Sequence, residues 1–209
     1  MRAARGASSR RGFYLALLAV AVLGVAGITW ATQRNRAASV VTVDAVAGKT
    51  LKAEGYVIGS ATAPVEILEF ADFECPGCAQ FAAVTEPDVR KNLVETGKAR
   101  FRFFDFQITQ AHRNAPAASL AAACANDQQK FWPMHDRIFA GQAEWNTQAT
   151  DDPKPVLQRY AQEIGLDVAA WEQCYDARTH VARPAAHLEE ATRRGVQSTP
   201  SFQIGDRLI

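Results

Sequence analysis

Residues 74–81 read ECPGCAQF, and the spacing of Cys75 and Cys78 within them decides how the chain is interpreted. A C-x-x-C pair serves in proteins as a redox dithiol, as half of a metal site or as a short structural disulfide. Before the pair, residues 65–70 form a short, largely apolar run that predicts a buried strand. After it, apolar residues recur at helical spacing and end near Gly97, a typical helix terminator. The pair is therefore predicted to lie where a strand gives way to a helix.

This position favours redox chemistry at Cys75. Pro76 fits the first turn of a helix, where its missing N–H costs nothing. Free backbone N–H groups and the positive end of the helix dipole then point at the Cys75 sulfur and stabilise its thiolate. Cys78 lies one turn further in and is less exposed. The spacing predicts an outer nucleophile and an inner thiol that resolves mixed disulfides.

The metal-site and structural interpretations of the cysteine pair are weaker. The histidines offer neither a close pair nor a partner cysteine pair at zinc-ligand spacing, so we expect no metal and no other cofactor. They are His112, His135, His180 and His187. A disulfide across so short a loop would also remove little chain entropy, which disfavours a purely structural role.

The residues that follow the dithiol predict a parallel crossover. Pro87 is expected to bend the first helix or divide it in two, because its ring and missing N–H disrupt the preceding turn. Residues 99–106, ARFRFFDF, return to strand character. A strand, a helix and a second strand in this order predict a right-handed parallel unit.

Several further polar residues are interpreted as architecture. His135 stands beside Asp136, and adjacent helical residues point in different directions, so we expect a surface or capping role for that histidine. Gly165 and Asp167 predict a helix stop followed by an N-cap. His112 is interpreted as local structure. An aromatic and aliphatic set at helical spacing is expected to be core: Phe131, Trp132, Met134, Ile138 and Phe139.

The N-terminal part of the chain predicts a membrane anchor. Residues 13–31 are uncharged and largely apolar, close to the roughly 20 residues that cross a bilayer as a helix. Arg2, Arg5, Arg10 and Arg11 precede this segment, and Arg34 and Arg36 follow it. The positive-inside bias places the basic residues 1–12 in the cytoplasm and the domain outside, in a periplasmic or other extracytoplasmic compartment. A cleaved signal peptide is the alternative, and residues 9–13, SRRGF, also resemble a twin-arginine export signal.

The composition fits one globular domain with appendages. The 209 residues are 48% hydrophobic and 22% charged, and the formal net charge is +1. No strong field attracts nucleic acid, so we expect no nucleic-acid partner. Residues 32–59 have little periodicity and are interpreted as a spacer, with Val40, Val41 and Val43 as a possible short strand or tether. The domain is expected over residues 60–209.

A second motif near the C-terminus indicates the family. Residues 195–205, GVQSTPSFQIG, read as a helix end, a Thr-Pro turn and a strand. Together with FADFECPGC at residues 70–78, this order resembles the thioredoxin-fold superfamily, an α/β class. AASLAAACANDQQKFWPMHDRIF at residues 117–139 and IGLDVAAWEQCYDA at residues 164–177 look like the helical insertion of DsbA-like thiol:disulfide oxidoreductases. The insertion is expected at about residues 112–182.

The resemblance implies roles for three further residues. Pro200 matches the family's cis-proline, which faces the dithiol and binds extended substrate, and Thr199 matches the residue before it. Glu69 matches an acidic residue that lies beneath the inner cysteine and relays its proton. A strand-edge carboxylate in water is the alternative for Glu69, and Glu66 is the weaker candidate for the relay.

Cys124 and Cys174 make the number of cysteines even. Each lies in a predicted helix of the insertion, in a compartment where thiols oxidise. We expect a structural disulfide between them, as in some DsbA-like proteins, with two buried thiols or a redox role as the alternatives.

The predicted function is the introduction of disulfides into exported proteins. The resemblance implies reduced, unfolded exported polypeptides as substrates and a membrane oxidase as electron acceptor, with the protein acting as a monomer. A reductase or isomerase of the same fold is one alternative, and a peptide-binding or metal-carrying module without turnover is another. Because the dithiol encloses Pro-Gly and Glu74 adds a negative charge beside Cys75, we expect a poise between thioredoxin and the isomerases.

The fold implied by the resemblance ordinarily continues past its last strand pair with a final helix on the sheet. The sequence ends at Ile209, shortly after a hairpin turn predicted at Gly205 and Asp206. We therefore expect either a fragment or a domain without that helix.

Overall fold

The structure is a computed structural model, and it describes residues 7–39 and 51–209. The first residues of the basic N-terminal segment lie outside the described part, and so does the possible strand at Val40, Val41 and Val43.

The N-terminal segment forms a helix, α1, over Ala7–Ser39. Within it, Gly12–Trp30 is long and apolar enough to cross a membrane, and its side chains are exposed. A run of apolar residues without a polar face gives a helix no preferred side to bury in a globular core. The helix is therefore a candidate membrane span.

Residues 56–208 contain a five-stranded mixed sheet with the order β1-β3-β2-β4-β5. Strands β2 and β3 are parallel, as predicted, whereas β1 pairs antiparallel with β3 and β4 pairs antiparallel with both β2 and β5. The strands are β1 Tyr56–Ile58, β2 Val65–Ala71, β3 Ala99–Asp105, β4 Ser201–Ile204 and β5 Arg207–Leu208.

Helices pack on the sheet and form the insertion between β3 and β4. They are α2 Pro76–Val84, α3 Glu86–Val89, a π-helical turn at Arg90–Val94, α4 Ala115–Asn126, α5 Phe131–Ala140, α6 Gln142–Trp145, α7 Lys154–Glu163, α8 Val168–Asp176 and α9 Arg183–Arg193. The break between α2 and α3 falls at Thr85, and Pro87 lies in the first turn of α3, where its missing N–H is tolerated. The predicted division of the helix at Pro87 is confirmed.

Strand β1 lies within the stretch that the sequence pattern assigned to the spacer. Its three residues are too few to show a period, so pattern alone could not find it. Tyr56 is buried and stacks on Phe131 of the insertion with ring centroids 3.6 Å apart. This contact and the ladder to β3 tie the strand to the domain.

The two faces of the sheet meet different layers. Leu68 and Phe70 of β2 point to one face and pack with Phe104 and with Ala191 of α9. The alternate residue Ala71 points to the other face, because successive strand residues face opposite sides, and joins the core of the insertion. The domain therefore has cores on both faces of one sheet.

The insertion has a tightly packed helical core. Every residue of α4 from Ala115 to Ala125 is buried. Trp145 and Trp171 are fully buried, and their indole N–H groups donate to the carbonyls of Ile138 and Ala121 at 2.9 and 3.0 Å. The structure also joins Cys124 of α4 to Cys174 of α8 by a disulfide.

Candidate active site

Cys75 is the N-cap residue of α2, directly after the turn that leaves β2. Its backbone is extended, with φ −72° and ψ 123°, and Pro76 opens the helix. The Cys75 side chain is partly exposed, whereas Cys78, one turn further along α2, is fully buried. The two thiols are free and differ in access, as the sequence predicts for a dithiol that exchanges disulfides.

The local hydrogen bonds favour a thiolate on Cys75. The pKa of Cys75 is lowered from 9.0 to about 5, first because the Cys78 thiol hydrogen-bonds to it. Thr199 and the backbone N–H groups of Cys78 and Gly77 add to this stabilisation, and partial burial opposes it. The pKa of Cys78 is raised by the same hydrogen bond to Cys75 and by burial. One proton is thus held on the inner sulfur while the outer sulfur is charged.

The Thr-Pro turn predicted near the C-terminus lies against the dithiol. The Thr199–Pro200 peptide bond is cis, and the Cys75 sulfur lies 3.6 Å from the Thr199 carbonyl oxygen. A Cβ atom added at Gly77 would lie 3.3 Å from Cδ of Pro200, so glycine permits this close approach. Residues more than a hundred positions apart therefore share one surface.

We expect a steep pH dependence for the Cys75 thiolate. Its ultraviolet absorbance in the reduced protein should appear with a midpoint near pH 5, where an ordinary thiol titrates near 9. Since the folded pKa lies below the unfolded value, the thiolate stabilises the reduced fold fully above about pH 9, and this contribution is lost as the pH falls through 5. The disulfide form has no such group. The melting temperature of the reduced form, measured relative to that of the disulfide form, should therefore rise as the pH increases from about 5 to about 9. An equal difference at both ends of this range would contradict the assignment.

The buried carboxylate of Asp72 and the side-chain amide of Gln142 hold the turn that carries Cys75 in place. One oxygen of Asp72 accepts from the backbone N–H of Glu74 at 2.8 Å, and the other accepts from Ile108 N at 2.7 Å and interacts with His112 Nδ1 at 2.8 Å. Gln142 of α6 donates to the carbonyls of Phe73 and Cys75 at 2.8 and 3.1 Å. The roles of Asp72 and Gln142 were not predicted, because, apart from the local bond between Asp72 and Glu74, their contacts join residues far apart in sequence.

Glu74 departs from the expectation that its charge stands beside Cys75. Its side chain is buried and directed toward the insertion. One carboxylate oxygen accepts from Asn114 N at 2.9 Å, and the other accepts from Thr147 N. Glu74 is also not among the main groups that shift the pKa of Cys75. The carboxylate fastens two insertion loops to the active-site turn.

Replacing Glu74 by Gln should therefore destabilise the domain. The amide NH₂ would face one of the two backbone N–H groups, leaving buried donors without an acceptor, at a cost of about 1–3 kcal/mol. Urea denaturation of the full chain in detergent would measure this free energy of unfolding. Glu95→Gln, at an exposed position, is the matched control and is expected to change it by less than about 0.5 kcal/mol. Equal effects of the two variants would refute the fastening role.

Glu69 lies on β2 between Phe103 of β3 and Phe202 of β4 in the register of the sheet. Its carboxyl group is buried, and Oε2 has no hydrogen-bond partner within residues 51–209. Burial and the nearby charge of Glu86 raise the pKa of Glu69 well above its ordinary value. Because Glu69 in turn raises the pKa of Cys78, the two groups interact electrostatically. Glu66, the weaker candidate, instead forms ion pairs with Arg100 and Arg102 at 2.8 Å.

His135 is buried, and the expectation of a surface or capping role was wrong. Its ring is fully buried and packs against several aromatic side chains, among them Phe73, Phe103 and Phe139. Nδ1 lies 2.8 Å from Oδ1 of the adjacent Asp136. Neighbouring helical side chains diverge on average, but a short aspartate at the boundary of a core reaches back to the ring.

The sheet order and the dithiol turn facing a cis-proline define a thioredoxin-fold protein with a helical insertion. The family model described as thioredoxin matches residues 52–209, and the chain belongs to this family. The crystal structure of oxidised BdbD from Bacillus subtilis superposes with a TM-score of 0.64 at 21% identity, covering 82% of this chain and 89% of that one. The predicted fold and the resemblance to DsbA-like proteins are confirmed.

Two sequence relatives differ in how much of their length this chain spans. The probable disulfide bond formation protein D of Bacillus anthracis is 30% identical over 156 residues, which are 72% of this chain and 70% of that protein. The Na(+)/H(+) antiporter NhaA 3 of Salinispora tropica is 35% identical over 153 residues, 73% of this chain. This chain spans 22% of the antiporter's length.

Proposed function

We propose that this protein is a membrane-tethered thiol:disulfide oxidoreductase that introduces disulfides into exported polypeptides. Cys75 is the nucleophile and Cys78 the resolving thiol. Thr199 and Pro200 position the substrate, and Glu69 exchanges the proton of Cys78. The similarity to a probable disulfide bond formation protein supports this assignment.

The observation that carries the proposal is the asymmetry of the two sulfurs. Cys75 is accessible, its pKa is lowered to about 5, and it lies 3.6 Å from the carbonyl that precedes Pro200. Cys78 is enclosed and its pKa is raised. A thiolate of low pKa is a good leaving group, and its stability favours the reduced dithiol, so that the disulfide is a strong oxidant.

The reaction transfers two electrons from the substrate thiols to the Cys75–Cys78 disulfide. A substrate thiolate attacks Cys75 of the Cys75–Cys78 disulfide, so that a mixed disulfide forms and Cys78 leaves and takes up a proton. A second substrate thiolate then attacks the substrate sulfur of the mixed disulfide and expels the Cys75 thiolate. The substrate leaves as a disulfide. A membrane oxidase that accepts two electrons and two protons restores the Cys75–Cys78 bond.

The candidate membrane span supports a location at the cell membrane. The basic residues before it favour a cytoplasmic N-terminus and a domain outside, where exported chains emerge. In this arrangement α1 keeps the dithiol near a membrane oxidase. The protein acts as a monomer, since one copy supplies every residue of the site.

The test is the reduction potential of the Cys75–Cys78 pair. The full chain in detergent is equilibrated with glutathione buffers, and the alkylated forms are quantified by mass spectrometry. Because the pKa of Cys75 is lowered to about 5 and Glu74 is directed away from it, we expect a more oxidising value than the sequence pattern predicted, closer to the roughly −120 mV of a strong oxidase than to the roughly −270 mV of thioredoxin. A value near the latter would reverse the direction of electron flow and favour a reductase.

A control separates catalysis from binding without turnover. The Cys75→Ser, Cys78→Ser double variant is expected to bind a reduced exported polypeptide but not to oxidise it. If the wild-type chain also binds such a polypeptide without ever changing its thiol count, a peptide-binding module replaces the proposed enzyme.

A further inference from the structure

Glu69, which interacts electrostatically with Cys78, belongs to a buried polar cluster whose other members have no role in the exchange reaction described above. Glu69, Glu86 and His135 are all buried, and one ligand-type atom from each lies within 4.8 Å of the others. Glu69 Oε2 and His135 Nε2 have no hydrogen-bond partner in the described domain. Buried polar atoms without hydrogen-bond partners lower the stability of the fold. Two such atoms in one cluster therefore suggest that the cluster has a function.

The far side of this cluster opens to solvent through Asp136. Its carboxylate lies 2.8 Å from His135 Nδ1 and has a side-chain exposure of 53%. A surface pocket of about 280 Å³ is lined there by Glu86, Arg90 and Asp136. His135 therefore has one ring nitrogen toward the cluster and the other toward an exposed carboxylate.

The charges around the ring come from four elements. Arg90 of the π-helical turn donates to Oε1 of Glu86 at 2.8 and 2.5 Å, and Glu86 Oε2 lies 4.0 Å from His135 Nε2. Arg90 also donates to both carboxylate oxygens of Asp136 at 2.9 and 2.8 Å, and its Nη2 lies 3.4 Å from His135 Nδ1. Glu69 of β2 lies on the same side of the ring as Glu86, and the carboxylate of Asp136 of α5 contacts Nδ1 on the solvent side. The fixed charge of Arg90 makes the cluster a poor cation site, but the two anions stabilise a transient imidazolium.

We propose that His135, held between Glu86 and Asp136, carries the proton of Cys78 between Glu69 and solvent. The proposal rests on the proposed function and deepens it. Glu69 is too enclosed to exchange its proton directly with water, so it requires a carrier with two protonatable atoms. An imidazole accepts a proton at one nitrogen and releases one from the other.

The proton balance closes over a catalytic cycle. When Cys78 forms the disulfide, its proton passes to Glu69, the Glu69 O–H bond breaks as Nε2–H forms on His135, and Nδ1–H gives its proton to Asp136 and then to water. When the disulfide is reduced, each transfer runs backward. The ring therefore alternates between its two neutral tautomers. It returns to the starting tautomer in each cycle without having to rotate.

The direct test is the tautomer of His135 in the two redox states. Nitrogen-15 NMR of the full chain in detergent, with His135→Gln to assign the signal, should show Nδ1–H in the dithiol form and Nε2–H in the disulfide form. His187 is the internal control, because it is equally buried and lies 3.0 Å from Asp105 on another element. Its tautomer should not change. The same His135 tautomer in both redox states would overturn the proposal, whether or not the protein oxidises substrates.

A kinetic test separates a relay from a structural role. With His135→Gln or Glu86→Gln, reduction of the Cys75–Cys78 disulfide by dithiothreitol should slow on the order of tenfold or more and lose part of its pH dependence. His187→Gln should leave this rate unchanged. Alkylation of Cys75 in the reduced protein, which needs no proton from Cys78, should stay within about twofold in all three variants. Unchanged reduction rates, or alkylation slowed as much as reduction, would refute the relay. If the wild-type chain fails to oxidise polypeptides but the tautomer still changes, the proposed function fails and the relay stands.

Discussion

Cys78→Ser protein is expected to accumulate a stable adduct on Cys75 when it is treated with glutathione disulfide, and Cys75→Ser protein is expected to form none. The Cys75 thiolate is accessible and attacks the glutathione disulfide, but without Cys78 no thiol lies within reach to release the glutathione. In the converse variant the remaining thiol is enclosed, and its pKa is raised by burial and by Glu69 even without the Cys75 contact. Intact mass spectrometry after acid quenching measures the adduct directly.

The wild-type chain provides the control for this experiment. It should pass through the adduct and end as the Cys75–Cys78 disulfide with no glutathione retained. A substantial adduct on Cys75→Ser protein would mean that Cys78 is accessible, and the roles of the two cysteines would then have to be exchanged.

Removing the second disulfide should produce the largest loss of stability. The bridge between Cys124 and Cys174 spans a sequence separation of 50 and ties α4 to α8. By chain entropy, a loop of this length lowers the free energy of the folded state relative to the unfolded state by about 4 kcal/mol. The Cys124→Ala, Cys174→Ala variant should lose about this amount in urea denaturation at about pH 7.

The matched control is the Cys75→Ala, Cys78→Ala variant, which also lacks two sulfurs but keeps the bridge. The bridge variant is measured in its Cys75–Cys78 disulfide form, and both double variants are compared with the wild-type chain in that form, in which no Cys75 thiolate contributes to stability. If both double variants unfold at the same urea concentration, or if Cys124 and Cys174 are alkylated in protein isolated without reductant, the bridge contributes no stability in solution.

Local chemistry explains which elements were predictable. The β2 and β3 strands each have a period and a boundary residue within a few positions, and they appear with nearly the predicted limits. The helix after Cys75 begins at Pro76 and is divided into α2, α3 and the π-helical turn, which ends at Val94, close to the predicted terminator Gly97. The Asp167 N-cap also appears, with its side chain accepting from Ala170 N at 3.1 Å. Such features depend on near neighbours, which a single sequence contains.

The missed features depend on distant neighbours. Nothing near His135 indicates that rings from β3 and the active-site turn will enclose it, and Glu86 resembles any helix-opening glutamate until Arg90 and Glu69 are placed beside it. The direction of Glu74 was missed for the same reason, since Asn114 and Thr147 are far away in sequence. Because Glu74 adjoins Cys75 in sequence, we expected its charge beside the thiol. Its hydrogen bonds to the insertion direct the carboxylate elsewhere.

The fastening of the insertion to the dithiol turn has a genetic consequence. Asn114 donates its backbone N–H to Glu74 and its side-chain amide to the carbonyls of Trp145 and Thr150, both at 2.9 Å. Proline at position 114 would remove these donors, although it alters no sulfur and no residue that touches substrate. In a random mutagenesis screen for lost disulfide formation, alleles should therefore cluster at Asn114 and in the loop around Thr147 as well as at the cysteines. Such alleles would identify residues that hold the active-site turn in place rather than residues that take part in the reaction.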